Sequence, residues 1–149
     1  MFGNKFMEIA YKTSLKCIKS GDIPVGCVIV SQGGEILAKA KNTVYKDKLV
    51  CNHAEINAIK YASKKLNSRL LIGCSMYITL EPCAMCAYAI CLARIENLYI
   101  GTTEPKTGAI ISNLKIFDSA ICNHRPNVYY GFMCEEISQL LKTFFQEKR

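Results

Sequence analysis

The chain has 149 residues, 50% of them hydrophobic and 21% charged, a globular composition that suits one packed domain over residues 1–149 and excludes a disordered chain. No apolar run reaches the roughly 20 residues a spanning helix needs, and the lysine-bearing N-terminus lacks the apolar core of a secretory signal, so a cytoplasmic protein with no membrane partner is expected. A formal charge of +7 suits an acidic partner such as nucleic acid, but many soluble enzymes share it.

The first helix is predicted over residues 4–19. Phe6, Ile9, Thr13 and Cys17 share one face by the 3.6-residue period, and Lys5, Lys12, Lys16 and Lys19 share another. The lysine stripe touches phosphates or is a solvated face; the solvated face is the ordinary outcome. Gly21 is a natural C-cap. Residues 25–31 form an apolar, β-branched run, Gln32-Gly33-Gly34 a turn, and residues 35–41 a second strand with Ile36, Ala38 and Ala40 on one face. Together they read as a hairpin. Residues 42–51 are polar and irregular, and Asn42 is a turn residue or reaches toward His53.

A helix over 53–66 puts Ile59, Ala62 and Leu66 at helical spacing. Residues 75–80 read as a strand, broken by Glu81-Pro82 at the entry to the next helix. That helix, 83–94, is apolar nearly all round and is expected to be buried. A strand over 96–101 follows, then a loop over 102–112 containing Pro105 and Gly108, and a short strand at 128–130. The last helix offers Met133, Ile137, Leu140, Leu141 and Phe144 as its apolar face, leaving Phe145 one position off it. Strands alternating with helices imply a layered α/β fold with a mixed sheet whose later strands are parallel.

Nine cysteines, an odd number, without a secretion signal argue for reduced thiols, some buried and some metal-bound. Cys83 and Cys86, at i and i+3, lie about 60° apart around a helix and can meet one ion. His53 supplies an imidazole from a second predicted helix start. Thiolates are favoured at a helix N-terminus, and a sulfur-rich set with one imidazole suits zinc. Three protein ligands leave a fourth position for water, whose pKa zinc lowers to about 7. Glu55, two residues after His53, can take that water's proton and deliver it to a leaving group. The alternative is a structural zinc with Cys51 or another cysteine closing the fourth position. His-x-Glu followed by Pro-Cys-x-x-Cys favours the open site, because it is the signature of zinc nucleobase deaminases.

With these motifs assembled, the sequence resembles the bacterial tRNA-specific adenosine deaminases of the cytidine deaminase-like superfamily. The resemblance runs through Asp22-Ile23-Pro24-Val25-Gly26, Asn42 with His53-Ala54-Glu55, Leu80-Glu81-Pro82-Cys83-Ala84-Met85-Cys86 and Lys106-Thr107-Gly108-Ala109. Asn123-His124-Arg125, Phe144-Phe145 and the basic Lys148-Arg149 end extend it. It implies a three-layer α/β/α domain with a five-stranded mixed sheet, matching the strands read above, and a homodimer. It implies one zinc held by His53, Cys83 and Cys86, with Glu55 as the proton shuttle. Asn42, the Ala54 backbone and the Pro24-Val25 turn would line the base pocket. Lys106, Asn123, His124, Arg125 and Phe145 would contact the anticodon stem-loop of a tRNA. The activity implied is hydrolysis of the wobble adenosine to inosine with release of ammonia. Glu104 stands where the family commonly has Asp, and Cys27 and Ile110-Ile111 replace smaller residues.

On residue type alone His124 is a surface or capping histidine, Lys106 a solvated loop lysine, and Tyr129-Tyr130 strand packing. Two other functions compete. One is deamination of a free base or nucleoside, which would not need the basic late segments. The other is a zinc-stabilised RNA-binding module without catalysis.

Overall fold

The β-branched run after the first helix forms the strand β1 (Gly26–Val30), central enough that all its residues are buried. The computed structural model describes residues 2–148, so Arg149 of the basic C-terminal pair lies outside the described residues. The other elements are α1 (Phe2–Leu15), β2 (Ile36–Lys41), α2 (Val44–Asp47), α3 (Ala54–Leu66), β3 (Ser75–Leu80), α4 (Ala84–Ala93), β4 (Asn97–Thr102), β5 (Asn127–Tyr130) and α5 (Cys134–Glu147). The sheet order is β2-β1-β3-β4-β5. β1 pairs antiparallel with β2 and β3, while β3, β4 and β5 run parallel.

Period-2 alternation along the strands divides the core into two layers. Cys27 and Ile29, Met76 and Ile78, and Leu98 and Ile100 point to the side covered by α3 and α4. Val28, Val30 and Tyr77 point to the other side, against Phe6, Met7 and Ala10 of α1 and Ile137 and Leu141 of α5. The result is the expected three-layer α/β/α arrangement. Gly26 lets α1 approach: a Cβ there would run into the Ala10 carbonyl and the Ser14 amide. In-register Tyr77, Tyr99 and Tyr129 stack along the sheet at 4.5 and 4.9 Å between centroids. Tyr129 therefore packs on its strand neighbour, as the residue-level reading has it.

Four local expectations need correction. The first helix stops at Leu15 and resumes as a 3-10 turn at Ile18–Ser20, whose cap is Gly21 at φ 77°. Thr13 and Ser14 hydroxyls donate back to the Ile9 and Tyr11 carbonyls, competing with the helical ladder. In β2 a register shift opposite Ile29/Val30 breaks the alternation, so Ile36 joins the α1 side and Leu37 joins Ala38 and Ala40. Leu66, at the end of α3, is exposed. The last correction concerns α4, which is not buried all round. Met85, Tyr88 and Leu92 form an outward row, with Leu92 59% exposed.

Candidate active site

The site lies at the C-terminal ends of the parallel strands β3 and β4, where the chain turns into helix starts, the usual crevice of an open α/β sheet. His53 and Cys83 are the N-cap residues of α3 and α4, both in extended conformation and neither using its side chain as a cap. Their side chains are therefore free to turn toward each other. Nδ1 of His53 sits 3.6 Å from Cys83 Sγ and 3.4 Å from Cys86 Sγ. The three ligand atoms lie within 4.8 Å of one another. One imidazole nitrogen and two sulfurs converging at that spacing fit a tetrahedral zinc with one position left to a non-protein ligand. Cys51 is not in the group: it is exposed, and its thiol faces the Asn52 side chain.

The three ligand groups share their protons unevenly, with the anion favoured on Cys83. Hydrogen bonding from Cys86, against burial and helped by His53, lowers the Cys83 thiol to about 4. The same Cys83–Cys86 bond, with burial, pushes Cys86 up. The His53 ring is raised by its bond to Cys83. Glu55 is 4% exposed, and burial lifts its carboxyl to about 7.

Beside these groups is a cavity of about 160 Å³ whose wall includes Val25, Asn42, His53, Ala54, Glu55 and Phe145. Asn42 satisfies both sequence readings. Its amide donates to the Ile23 carbonyl and accepts from the Val44 amide, and it lines the cavity. Phe144 is buried in the α5 face, whereas Phe145 is 46% exposed at the cavity.

The matching family model is the cytidine and deoxycytidylate deaminase zinc-binding region, over residues 2–102. A tRNA-specific adenosine deaminase of Aquifex aeolicus is 41% identical over 144 residues, covering 97% of this chain and 94% of the relative. The chain belongs to the tRNA-specific adenosine deaminase family. An Agrobacterium fabrum member is 40% identical, with 97% of this chain and 94% of the relative covered. A solved chain from work on A-to-I editing by tRNA:A34 deaminases at the wobble position of transfer RNA superposes at a TM-score of 0.89. It has 38% identity and covers 91% of this chain and 98% of that one.

Within this deaminase fold the remaining expected residues are spread out. Pro24 precedes Val25 at the cavity. Lys106 is in an exposed loop whose neighbours Glu104 and Thr107 reach the cavity wall. Asn123, His124 and Arg125 do not line the cavity. His124 Nε2 is 2.7 Å from the Ile95 carbonyl at the opposite end of β4, and Arg125 pairs with Asp118. One ring nitrogen of His124 is thus occupied by a backbone carbonyl of its own chain.

Four further residues support the site without a site role assigned to them from the sequence. The buried Glu81 carboxylate accepts from the amides of Glu104, Ile110, Ile111 and Ser112 and from the Ser112 hydroxyl. It ties the Lys106 loop to the turn that carries Cys83. Gly108 must be glycine because a Cβ there would strike the Glu81 carboxylate. Asp22 accepts from the Tyr45 and Lys46 amides at the start of α2. Asn57 donates to the Lys41 and Asn52 carbonyls and to Thr43 Oγ1, fastening the Asn42–His53 segment to α3. A buried polar residue just after a ligand was the available signal for Asn57. Nothing local marks Glu81 as a loop anchor.

Proposed function

We propose that this chain, one domain over residues 1–149, hydrolyses adenosine to inosine at the wobble position of a tRNA anticodon and releases ammonia. The observation that carries this is the convergence of His53, Cys83 and Cys86 next to the buried Glu55 on the wall of a small cavity. The family membership supports the substrate.

When bound by His53, Cys83 and Cys86, zinc supplies the Lewis acidity that makes water nucleophilic near neutral pH. Glu55 moves the protons: its carboxylate accepts one from the attacking water and passes it to a ring nitrogen. It then takes the second proton from the newly added hydroxyl, as that oxygen becomes the carbonyl, and delivers it to the departing amine. Water and adenosine thus yield inosine and ammonia. Asn42, the Ala54 backbone and the Pro24-Val25 turn hold the base. Phe145, exposed at the mouth, stacks on a neighbouring base. A flipped base costs least to extrude from a loop, which favours a stem-loop over a duplex.

Lys106 contacts the loop backbone in this reading. The enzyme works in the cytoplasm, with its tRNA, as a homodimer. The outward row Met85, Tyr88 and Leu92 on α4, with exposed Leu114 and Ile121 flanking the 3-10 turn Ile116–Asp118 that packs on α4, supports a second copy docking there. His124 contacts Ile95, just past the end of α4, and we assign the RNA contacts of Asn123, His124 and Arg125 to a site completed by the second copy. Among the described residues no helix is long and apolar enough to cross a membrane.

The test compares ammonia release from an anticodon stem-loop carrying a wobble adenosine with release from free nucleobases. Turnover of the stem-loop is expected. Turnover confined to the free bases overturns the reading.

A further inference from the structure

We infer that a lysine-lined groove between α1, the edge strand β2 and α2 binds the sugar–phosphate backbone of the RNA substrate outside its anticodon loop. This inference rests on the RNA-deaminase reading and adds a second binding surface to it. The groove has a volume of about 640 Å³, and Lys12 and Lys16 of α1, Lys39 and Lys41 of β2 and Lys46 of α2 line it. Lys19 extends the same surface through an adjoining hollow shared with Lys16, Lys41 and Lys46. The lysine stripe of the first helix is therefore one wall of a concave basic surface, with the other walls supplied by distant sequence.

The ammonium groups have little internal compensation. Asp47 is the one carboxylate on the lining, and its oxygen already accepts from Asn52 Nδ2 at 2.9 Å. Among the described residues the salt bridges are Lys65–Glu35 and Arg125–Asp118, and neither involves these lysines. Lys41 donates to the Lys16 carbonyl at 3.3 Å, which joins the two walls. Lysines on an edge strand also discourage sheet-to-sheet pairing, which would account for Lys39 and Lys41 alone. It does not account for Lys12, Lys16 and Lys46 facing the same hollow.

Position selects the ligand. Lys41 and Thr43 line the groove, and Asn42 between them lines the base cavity. The groove and the cavity therefore flank the same Lys41–Thr43 segment. An RNA with one base in the cavity has the groove on the neighbouring side of that segment, within a few residues' span of its backbone. Among the described residues Tyr61 is the only aromatic side chain on the lining. The surface is therefore built for phosphates and not for a run of stacked bases, and it should bind without regard to sequence.

The test uses the zinc-loaded full chain and a full-length tRNA transcript with a wobble adenosine. One variant carries Lys12→Gln, Lys16→Gln and Lys39→Gln. A control with equal charge loss carries Lys64→Gln, Lys65→Gln and Arg69→Gln, which are exposed at the end of α3 and just beyond it. Steady-state kinetics are measured across a salt series. The groove variant is expected to raise KM about tenfold or more at moderate salt and to flatten the salt slope by about two to three, with kcat held. The control should match wild type. Single reversals Lys12→Glu and Lys46→Glu should each raise KM as well. A groove variant with the control's KM and slope overturns the inference, as does a loss of kcat at unchanged KM. Absence of deamination by wild type would instead refute the function proposed above. Direct binding of the same transcript to wild type and groove variant then decides the groove on its own.

Discussion

Replacing Glu81 with Gln should loosen the loop that closes one side of the cavity while leaving the three metal-binding side chains in place. Oε1 of Glu81 accepts from the Ile110, Ile111 and Ser112 amides at 3.2, 2.7 and 2.9 Å. Oε2 accepts from the Glu104 amide at 2.8 Å and the Ser112 hydroxyl at 2.6 Å. A glutamine oxygen can keep the first three. Its NH2 group must then face the Glu104 N–H, so that bond is lost, and the kept bonds lose their charge. A hydrogen bond to a charged group contributes about 1.5–3 kcal/mol, which puts Glu81→Gln at about 2–3 kcal/mol. Glu81→Ala loses all five bonds. The cost should stay near 4–5 kcal/mol instead of the full sum, because the half-buried amides of Glu104, Ile111 and Ser112 can rehydrate.

The assay is denaturant unfolding, with hydrogen exchange at the Ile110 and Ile111 amides. Burial alone would raise the Glu81 carboxyl, but bonds from Ser112, Glu104 and Ile111 outweigh it and hold the group below the usual range. A depressed folded pKa stabilises above the unfolded value of about 4.3, and that stability disappears as pH falls through the folded value. Glu81→Gln should therefore remove part of the acid sensitivity below about pH 4.3. Unfolding within about 0.5 kcal/mol of wild type, with loop amides still protected, would refute this role for Glu81.

Other substitutions separate the remaining roles. Glu55→Ala should keep zinc and RNA binding while lowering kcat by about 10²–10⁴-fold, as measured by single-turnover kinetics. Cys83→Ala should abolish stoichiometric zinc in metal analysis and lower the melting temperature. Gly108→Ala should destabilise by about 1–3 kcal/mol, because its methyl displaces the Glu81 carboxylate; thermal unfolding checks this. Leu92→Arg should abolish the proposed dimer in analytical ultracentrifugation, since a charge would enter the α4 face.

Much of this was legible in the sequence because it depends on local pattern. Strands of β-branched residues and the spacing of His53, Glu55, Cys83 and Cys86 are statements about neighbours along the chain. Phe145 stood one position off the α5 face, and the structure exposes it at the cavity. What sequence could not show depends on pairing between distant segments. The register shift that moves Ile36 to the other layer is set by β1, and the outward row on α4 is set by what fails to cover it. Glu81 acts on residues that follow it by more than twenty positions. Lys12 and Lys46 share a groove only because α1 and α2 flank the same strand edge. Asn123-His124-Arg125 followed the family pattern in sequence, yet these residues lie away from the cavity of their own chain.

The central claim is tested most directly by the zinc-loaded enzyme acting on an anticodon stem-loop with a wobble adenosine, with inosine as the readout. Inosine should form, stop when a chelator strips the zinc, return when zinc is restored, and fall to near background in Glu55→Ala. Inosine formation that persists in Glu55→Ala, or that is indifferent to zinc removal, would contradict the assignment of the metal centre and its proton shuttle.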